Sequence, residues 1–444
     1  MKVSVPKGVR DFGPVELRKR KYIFSTIENI FKAHAYQPIE TPTMENLDTL
    51  TGKYGEEGDK LLFKVLNNGD FLSKANEEAL SEKNSTKVLH SISKRGLRYD
   101  LTVPFARYVV MNQNDISFPF KRYQIQPVWR ADRPQKGRYQ EFYQCDVDVV
   151  GSDSLMYEGE LVQIYDKALS ALGVEAKILV NNRKVLEGLA EAAGASDKFM
   201  DMVVAMDKLD KIGEEKVAIE MENRGLSKES VAFVLSCLSI TTLDELEEKI
   251  GHTEVGKAGI SELRTFHQYA DLHTFDKCEL VFDITLARGL SYYTGCVFEV
   301  KANGVSMGSI GGGGRYDNLT GSFGLQGVSG VGVSFGAARI YLVMEELGLF
   351  PEELTNNLEV LIMALDDESH IHAFSLLNDL RQKGVVADLY PAATKMKKMM
   401  KYANNIHAPH VIIIGESERT SGAYKVKNME SGEQKDFKDW LAER

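Results

Sequence analysis

The 444-residue chain has four cysteines, Cys145, Cys237, Cys278 and Cys296, and no two of them form a CxxC pair. That argues against a zinc ribbon or a thioredoxin-type redox site. Reduced thiols in a cytosolic protein are the simplest state for them. Long apolar runs are also missing. The longest purely aliphatic stretch is Val411 to Ile414, far too short to cross a bilayer. Met1 to Arg10 lacks an apolar core followed by a small-residue cleavage site, so no signal peptide is expected. There is no excess of positive charge. The chain has 54 basic and 64 acidic residues, a net charge of −10, which excludes a generally basic coat for nucleic acid but leaves room for a local basic patch. No GxxxxGK[ST] signature occurs, which excludes a P-loop ATPase. No internal repeat is visible. What remains is an ordinary soluble globular balance, 43% hydrophobic and 27% charged, with a length that suggests about three domains.

Apolar spacing predicts a helix from Pro14 to Ala35, then an extended stretch from Tyr36 to Glu45 interrupted by Pro38 and Pro42. Asn67 to Lys94 is polar and reads mostly as an exposed connection, partly helical. A hairpin spans Lys121 to Val150. A helix follows from Ser154 to Leu172, with Gly173 as its C-cap, and then a strand from Ala176 to Val180. Residues 183–273 carry helical signal and little strand signal, the mark of a helical insertion. Strands return at Leu280 to Leu286 and Cys296 to Lys301, before a glycine-rich zone from Gly304 to Gly336 and a helix from Ala337 to Leu347. Pro351 to Asn357 reads as a linker. Beyond it strand and helix alternate, the pattern of a small α/β domain with a mostly parallel sheet.

Four stretches carry chemistry. In the hairpin, Tyr123, Ile125, Pro127 and Trp129 share one face, and Arg122, Gln124, Gln126 and Arg130 the other, with Val128 among them. The return arm repeats this, with Tyr143, Cys145, Val147 and Val149 opposed to Phe142, Gln144, Asp146 and Asp148. By pattern alone this is a sheet with one solvated side. Two features point elsewhere. The polar face is built of amide, guanidinium and short carboxylate rather than Lys, Glu and Thr. The connection Ala131 to Tyr139 is longer than a usual hairpin turn and carries Arg133, Lys136 and Arg138, which suits phosphates. The second stretch, Arg288 to Gly295, contains Tyr292 and Tyr293 and reads by itself as a hairpin with aromatic packing. The third, Gly311-Gly312-Gly313-Gly314-Arg315-Tyr316-Asp317, either brings backbone close to a ligand or forms a flexible loop. The fourth, Gly330 to Gly336, has the wrong spacing for a dinucleotide fingerprint and no βαβ unit after it. It leads into a helix with Arg339 in its first turn, against the helix dipole, a placement that a functional task would explain.

Together these stretches resemble the class II aminoacyl-tRNA synthetases, and specifically the histidyl-tRNA synthetase family. The resemblance begins at Pro6-Lys7-Gly8-Val9-Arg10-Asp11-Phe12 and covers nearly the whole chain. Tyr36 to Glu45 is similar to the family's first motif, Phe120 to Asp148 to the second and Gly330 to Arg339 to the third. Arg288 to Gly295 and Ser309 to Asp317 resemble two motifs specific to the histidine enzymes. Asp132 departs from the pattern, since class II enzymes often have the longer Glu there. The resemblance implies an α+β fold. A class II catalytic domain on an antiparallel sheet would take residues 1–182 and 274–350, a helical insertion 183–273, and a C-terminal α/β anticodon-binding domain 357–444.

The same resemblance implies a histidine–tRNA ligase that works on ATP, Mg²⁺, L-histidine and tRNA(His), as a cytoplasmic homodimer joined through the first motif and without a membrane. Arg130 would hold the α-phosphate, Glu141 and Phe142 would meet the adenine, and Arg339 would reach the γ-phosphate. Asp100, Leu101, Thr102 and Gln144 would receive the α-amino end of histidine, and Asp148, Tyr292 and Tyr293 its imidazole. Arg288 would be the catalytic cation between carboxylate and α-phosphate, with Arg130 beside it. No metal-ligand set is implied. Arg133, Lys136 and Arg138 of the hairpin loop, with Lys395, Lys397 and Lys398, are the tRNA candidates. The last three lie in a segment, Arg381 to Lys401, with a net charge of +5. A solvated helix face accounts for such spacing too, but on an acidic chain it is the best phosphate contact outside the hairpin loop. A regulatory subunit of ATP phosphoribosyltransferase shares the catalytic fold. Such regulators typically lack the C-terminal domain, whereas this chain has it and keeps Arg130, Arg288, Tyr292, Tyr293 and Arg339. Threonyl and prolyl synthetases share a related C-terminal domain, and the Arg288 to Gly295 stretch argues against them.

Overall fold

The computed structural model describes residues 3–53, 55–287 and 293–443. It divides into two compact units. One is built from Lys19–Leu349 with the segment before Gly13, the other from Phe350–Arg444 with Gly13–Arg18.

The first unit is organised by an eight-stranded sheet. Its strands are β1 (Gln37–Pro38), β2 (Phe120–Trp129), β3 (Glu141–Val150), β4 (Ala176–Asn182), β5 (Cys278–Phe282), β6 (Cys296–Ala302), β7 (Gly311–Tyr316) and β8 (Gly330–Gly336), in the order β1-β2-β3-β8-β7-β6-β4-β5. The six strands from β2 to β4 pair antiparallel, while β1 on β2 and β5 on β4 are parallel. Residue alternation sorts the side chains of the central strands. On β2, β3 and β8 the odd positions Tyr123, Cys145 and Phe335 face a helical layer. The helix Pro14–Ala33 brings Ile23, Ile27 and Phe31, spaced four residues apart and fully buried, to that face. Phe31 lies 5.5 Å from Tyr123 and 5.8 Å from Phe335. The helix Met156–Ala171 adds Tyr165, 4.6 Å from Phe335. This dry side fixes the register, because a one-residue slip would bring the even-numbered charged set onto it.

Two stretches of the glycine-rich zone are strand rather than loop. Gly311 to Gly314 belong to β7 and Gly330 to Gly336 form β8, both inside the sheet. Backbone pairing with two neighbours holds the four glycines of β7, which have no side chains to pack. Asn67 to Lys94 is more structured than its polarity suggests. It holds the helices Glu77–Ser81 and Ser85–Ile92, whose N-caps Asn76 and Asn84 accept the N–H groups of Ala79 and Lys87 at 2.8 and 3.0 Å. From Arg183–Ala192 to Glu254–Ala270 the described residues form helices and no strand.

The C-terminal unit contains β9 (Val360–Ala364), β10 (Ala387–Leu389), β11 (His410–Ile414), β12 (Lys425–Asn428) and β13 (Gln434–Asp436), in the order β10-β9-β11-β12-β13. β10, β9 and β11 pair parallel, and the hairpin of β12 and β13 pairs antiparallel, so that β12 alone among these strands runs against the rest, in keeping with the expected mostly parallel sheet. Those two strands are short and mostly polar, so they carry no hydrophobic alternation to reveal them. Both faces of β9 are apolar. Val360, Ile362 and Ala364 pack with the helix Asp367–Gln382, and Leu361 and Met363 with Met399 and Ala403 of the helix Met396–Asn405.

Candidate active site

The even-numbered side of the central strands is polar and yet buried, so it is not the solvated face that the pattern alone suggests. Strand register arranges it in rows. One row runs Arg122, Asp148, Gly332, Gly314; the next runs Gln124, Asp146, Ser334, Gly312. Arg122 is completely buried, and Asp146 and Asp148 are each 2% exposed. Arg122 Nη2 lies 2.8 Å from Asp148 Oδ2, and Tyr316 O–H donates to Asp148 Oδ1 at 2.7 Å. Burial pushes the Asp148 carboxyl up, and Arg122 and Tyr316 partly offset that by favouring its charged form. Gly332 is required here. A Cβ on it would stand 1.9 Å from Asp148 Oδ1, so only glycine lets that carboxylate lie against the next strand. One position along the row, a Cβ on Gly314 would meet the Tyr293 ring at 2.8 Å.

Beside these rows lies a cleft of about 220 Å³, lined by Arg130, Phe142 and Gln144 of the hairpin, by Gly137, Arg138 and Tyr139 of its loop, by Ser309 to Gly312, and by Ser334 to Arg339 in part. Arg130 Nε donates to Tyr99 O at 3.0 Å, and its guanidinium lies 4.2 Å from the Tyr99 ring centroid and 5.2 Å from that of Phe142. The flat cation is thus held by a carbonyl and two aromatic faces rather than by a carboxylate, which leaves its charge available. Arg339 Nε donates to Gly137 O at 3.2 Å and its Nη1 to Ser309 O. The helix Ala337–Leu347 therefore carries a cation in its first turn because two carbonyls outside the helix hold it. Gln144 Nε2 donates to Ser334 Oγ at 2.8 Å, while its Oε1 is 3.4 Å from Arg130 Nη2.

The expected residues fall into four groups. Arg130, Phe142, Gln144 and Arg339 line the one cleft, together with Arg138. Asp100, Leu101 and Thr102 precede or start the helix Thr102–Met111; Asp100 Oδ1 accepts Val103 N–H at 3.1 Å, and Leu101 O is 3.5 Å from Arg122 Nη2, which places this segment at the charged rows. Others are placed apart. Glu141 is exposed and accepts Trp129 Nε1–H at 2.8 Å, outside the cleft lining. Lys136 pairs with Glu346 at 2.9 Å, and Arg133 is exposed. Lys395, Lys397 and Lys398 are exposed at the start of the helix Met396–Asn405 in the C-terminal unit. Arg288 and Tyr292 lie outside the described residues. Tyr293 is described, and its carbonyl accepts from Arg183 Nη1 at 3.3 Å. Asp132, 9% exposed, has Oδ1 3.6 Å from Arg138 Nε. Among the described residues no group of three His, Cys, Asp or Glu is placed to hold a metal ion, and no helix is long and apolar enough to cross a membrane.

Residues 70–340 match the family model for histidyl-tRNA synthetase, and residues 359–440 match the anticodon binding domain. The chain belongs to the histidyl-tRNA synthetase family. The histidine–tRNA ligase of Christiangramia forsetii is 53% identical to it over 440 residues, covering 98% of this chain and 96% of that protein. The histidyl-tRNA synthetase from Nostoc sp. PCC 7120 superposes with a TM-score of 0.83 at 29% identity, covering 100% of this chain and 99% of that one. An ATP phosphoribosyltransferase regulatory subunit/histidyl-tRNA synthetase from Bacillus halodurans C shares the fold, with a TM-score of 0.73 at 23% identity over 94% of this chain and 99% of that one. Fold alone therefore does not separate ligase from regulator. The 53% identity to the ligase over nearly the whole chain does. In this synthetase Arg122, Tyr316 and Ser334 join the site without having been expected there. Arg122 stood on the polar face and Tyr316 inside a quoted motif, but only the register puts both on Asp148. Arg315, beside Tyr316, serves the fold instead, with Nη2 donating to the buried Glu158 at 2.7 Å.

Proposed function

We propose that the buried charged rows bind L-histidine and that the adjoining cleft takes ATP with its Mg²⁺, so that the enzyme makes histidyl-adenylate and transfers histidine to tRNA(His). The observation that carries this reading is that Arg130, Phe142, Gln144 and Arg339, from separate stretches of sequence, line one cleft beside Asp148. The histidine carboxylate attacks the α-phosphorus of ATP, pyrophosphate leaves, and AMP leaves when the terminal ribose hydroxyl of tRNA takes the histidyl group. Two anions approach in the first step, and negative charge grows on the phosphoryl oxygens. Fixed guanidinium groups out of bulk water stabilise it without reorganising, and in-line placement supplies the rest. The carboxylate is already ionised near neutral pH, so this step needs no base.

In this reading Arg130 holds the α-phosphate, Arg288 bridges carboxylate and α-phosphate, Phe142 stacks on the adenine with Glu141 at its edge, and Arg339 meets the γ-phosphate. Asp100, Leu101, Thr102 and Gln144 receive the α-ammonium end. Asp148, Tyr292 and Tyr293 read the imidazole. Mg²⁺ would come with ATP as its counter-ion and would supply positive charge to the phosphates. Arg133, Lys136 and Arg138 approach the acceptor end of tRNA, and Lys395, Lys397 and Lys398 the anticodon end. Residues 1–182 with 274–350 form the catalytic domain, 183–273 an insertion, and 357–444 the anticodon-binding domain. The working form is a cytoplasmic homodimer joined through Tyr36 to Glu45. ATP–pyrophosphate exchange with each amino acid in turn tests the reading. Exchange is expected with L-histidine alone; equal exchange with threonine or proline, or none with any amino acid, would refute it.

A further inference from the structure

Arg98 is 1% exposed, and the roles above leave it out. It sits where a small sheet hands the chain on to the site. That sheet runs Met44–Asn46, Arg95–Leu97, Lys64–Val65, with Arg95–Leu97 in the middle, and Tyr99 and Asp100 follow directly after Arg98. The edge of the large sheet gives the guanidinium its task. β1 covers β2 only at Arg122 and Tyr123. Farther along β2, Arg98 Nε donates to Pro127 O at 2.8 Å, and Arg98 Nη1 donates to Gln126 Oε1 at 3.1 Å. The same Nη1 donates to Thr41 O at 2.6 Å. One side chain therefore joins the hairpin to the extended segment that has left the sheet edge.

The main chain of Arg98 makes the same two connections. Its N–H donates to Thr43 O at 3.0 Å, and its carbonyl accepts Trp129 N–H at 3.0 Å. One residue on, Tyr99 O accepts Arg130 Nε–H at 3.0 Å, and the Tyr99 ring centroid lies 4.2 Å from the Arg130 guanidinium. Tyr99 can hold Arg130 in one direction only if its own backbone is fixed, and Arg98 pins that backbone from both sides. Filling space does not account for a cation here. Burial works against the charge of Arg98, while Glu40 and Glu45 favour it. Buried charge is costly to hold, and apolar groups of similar volume are often at least as stabilising. An apolar side chain cannot reach three oxygen acceptors on two separate segments through one rigid fork.

We propose that Arg98 is a positioning residue for adenylate formation: it fixes the backbone of Tyr99 and, through Tyr99, the direction in which Arg130 presents its guanidinium to the cleft. The inference rests on the role of Arg130 proposed above. A misplacement of about 1 Å at a reacting group can cost on the order of 10²-fold in rate. A residue that never touches substrate can therefore matter this much. Lysine at position 98 would keep the charge but offer one nitrogen on a flexible stem in place of the fork.

A double-mutant cycle tests this. Single-turnover adenylate formation from ATP and L-histidine is measured for the unaltered enzyme, Arg98→Lys, Arg130→Ala and the double variant, each rate divided by the folded fraction of the same sample. Arg98→Lys should slow the unaltered enzyme by on the order of 10–10²-fold. It should slow Arg130→Ala by less than about threefold, because the group that it positions is then gone. A loss by the same factor in both backgrounds overturns the proposal. So does an unaltered rate per folded molecule with only a lower melting temperature, since Arg98 then serves the fold alone. Both of these results leave the role of Arg130 standing. Arg130→Ala at the unaltered rate overturns that role and the proposal with it. Should Arg98→Lys not fold, Arg98→Gln, which keeps N–H donors of shorter reach, takes its place in the cycle with the same expected and contrary results.

Discussion

In the C-terminal sheet, β9 buries Val360, Ile362 and Ala364 on one side and Leu361 and Met363 on the other, while its neighbouring helix keeps Lys397, Lys398 and Lys401 in solvent. In the central sheet, β2 and β3 bury Tyr123, Cys145 and Val147 on one side and Arg122, Asp146 and Asp148 on the other. The first arrangement is what stability alone favours. The second takes charge out of water at a cost that a mutual ion pair only partly offsets. A fold retains such a face where small charged ligands must be met by groups that do not reorganise. The difference separates the two modes of recognition proposed for one chain: fixed and dry for the amino acid in the central sheet, mobile, wet and salt-sensitive for tRNA phosphates on the C-terminal surface.

The comparison breaks most visibly at Arg130. Arg130→Ala removes a preset cation from the cleft and should slow adenylate formation by on the order of 10²–10³ in single-turnover experiments. An unchanged rate would move the chemistry away from this cleft. Next is Asp148→Ala, which removes the carboxylate paired with the fully buried Arg122. It should lower unfolding free energy by about 3–5 kcal/mol, read from denaturant titration. A loss under about 1 kcal/mol, as at an exposed pair, would mean that water reaches Arg122 and that the face is not dry. Replacing Lys395, Lys397 and Lys398 together by Ala should leave the melting temperature unaltered. It should reduce the slope of log affinity for tRNA against log salt by roughly 2–3 if all three meet phosphates. An unchanged slope would return them to a solvated helix face.

The smallest effect concerns pH. The folded-state carboxyl of Asp146 is raised to about 7, so between the ordinary carboxylate range and that value the folded chain binds more protons than the unfolded one. Its contribution to stability is therefore present at low pH and is lost as pH rises toward and past about 7. Asp146→Asn should flatten the pH dependence of the melting temperature between pH 5 and 8. A variant curve parallel to that of the unaltered enzyme would show that the carboxyl titrates in the ordinary range.

Much of this was legible in the sequence, and what was not has particular causes. The hairpin and its two faces followed from strict alternation between Lys121 and Val150. The fold and the family followed from motifs whose order along the chain is itself informative. The burial of the polar face did not follow, because alternation does not say what covers each side. For Gly311 to Gly314 the pattern left both a close approach to a ligand and a flexible loop open, because glycine has little strand preference of its own; here backbone pairing on both sides holds them in a strand. The contacts of Arg122 and Tyr316 with Asp148 depend on which residues stand opposite across strands far apart in sequence, and local pattern carries no trace of that. The strands Lys425–Asn428 and Gln434–Asp436 were missed because they are short and mostly polar, so no hydrophobic alternation marks them.

The most direct measurement takes two variants through both half-reactions. Asp148→Asn should raise KM for histidine in ATP–pyrophosphate exchange by about tenfold or more, the worth of a hydrogen bond to a charged group, and leave KM for tRNA in charging unaltered. The Lys395, Lys397 and Lys398 triple variant should do the reverse. If either variant shifted both constants alike, or if Asp148→Asn left histidine binding unchanged, the separation between a dry site for the amino acid and a wet site for the tRNA would be contradicted.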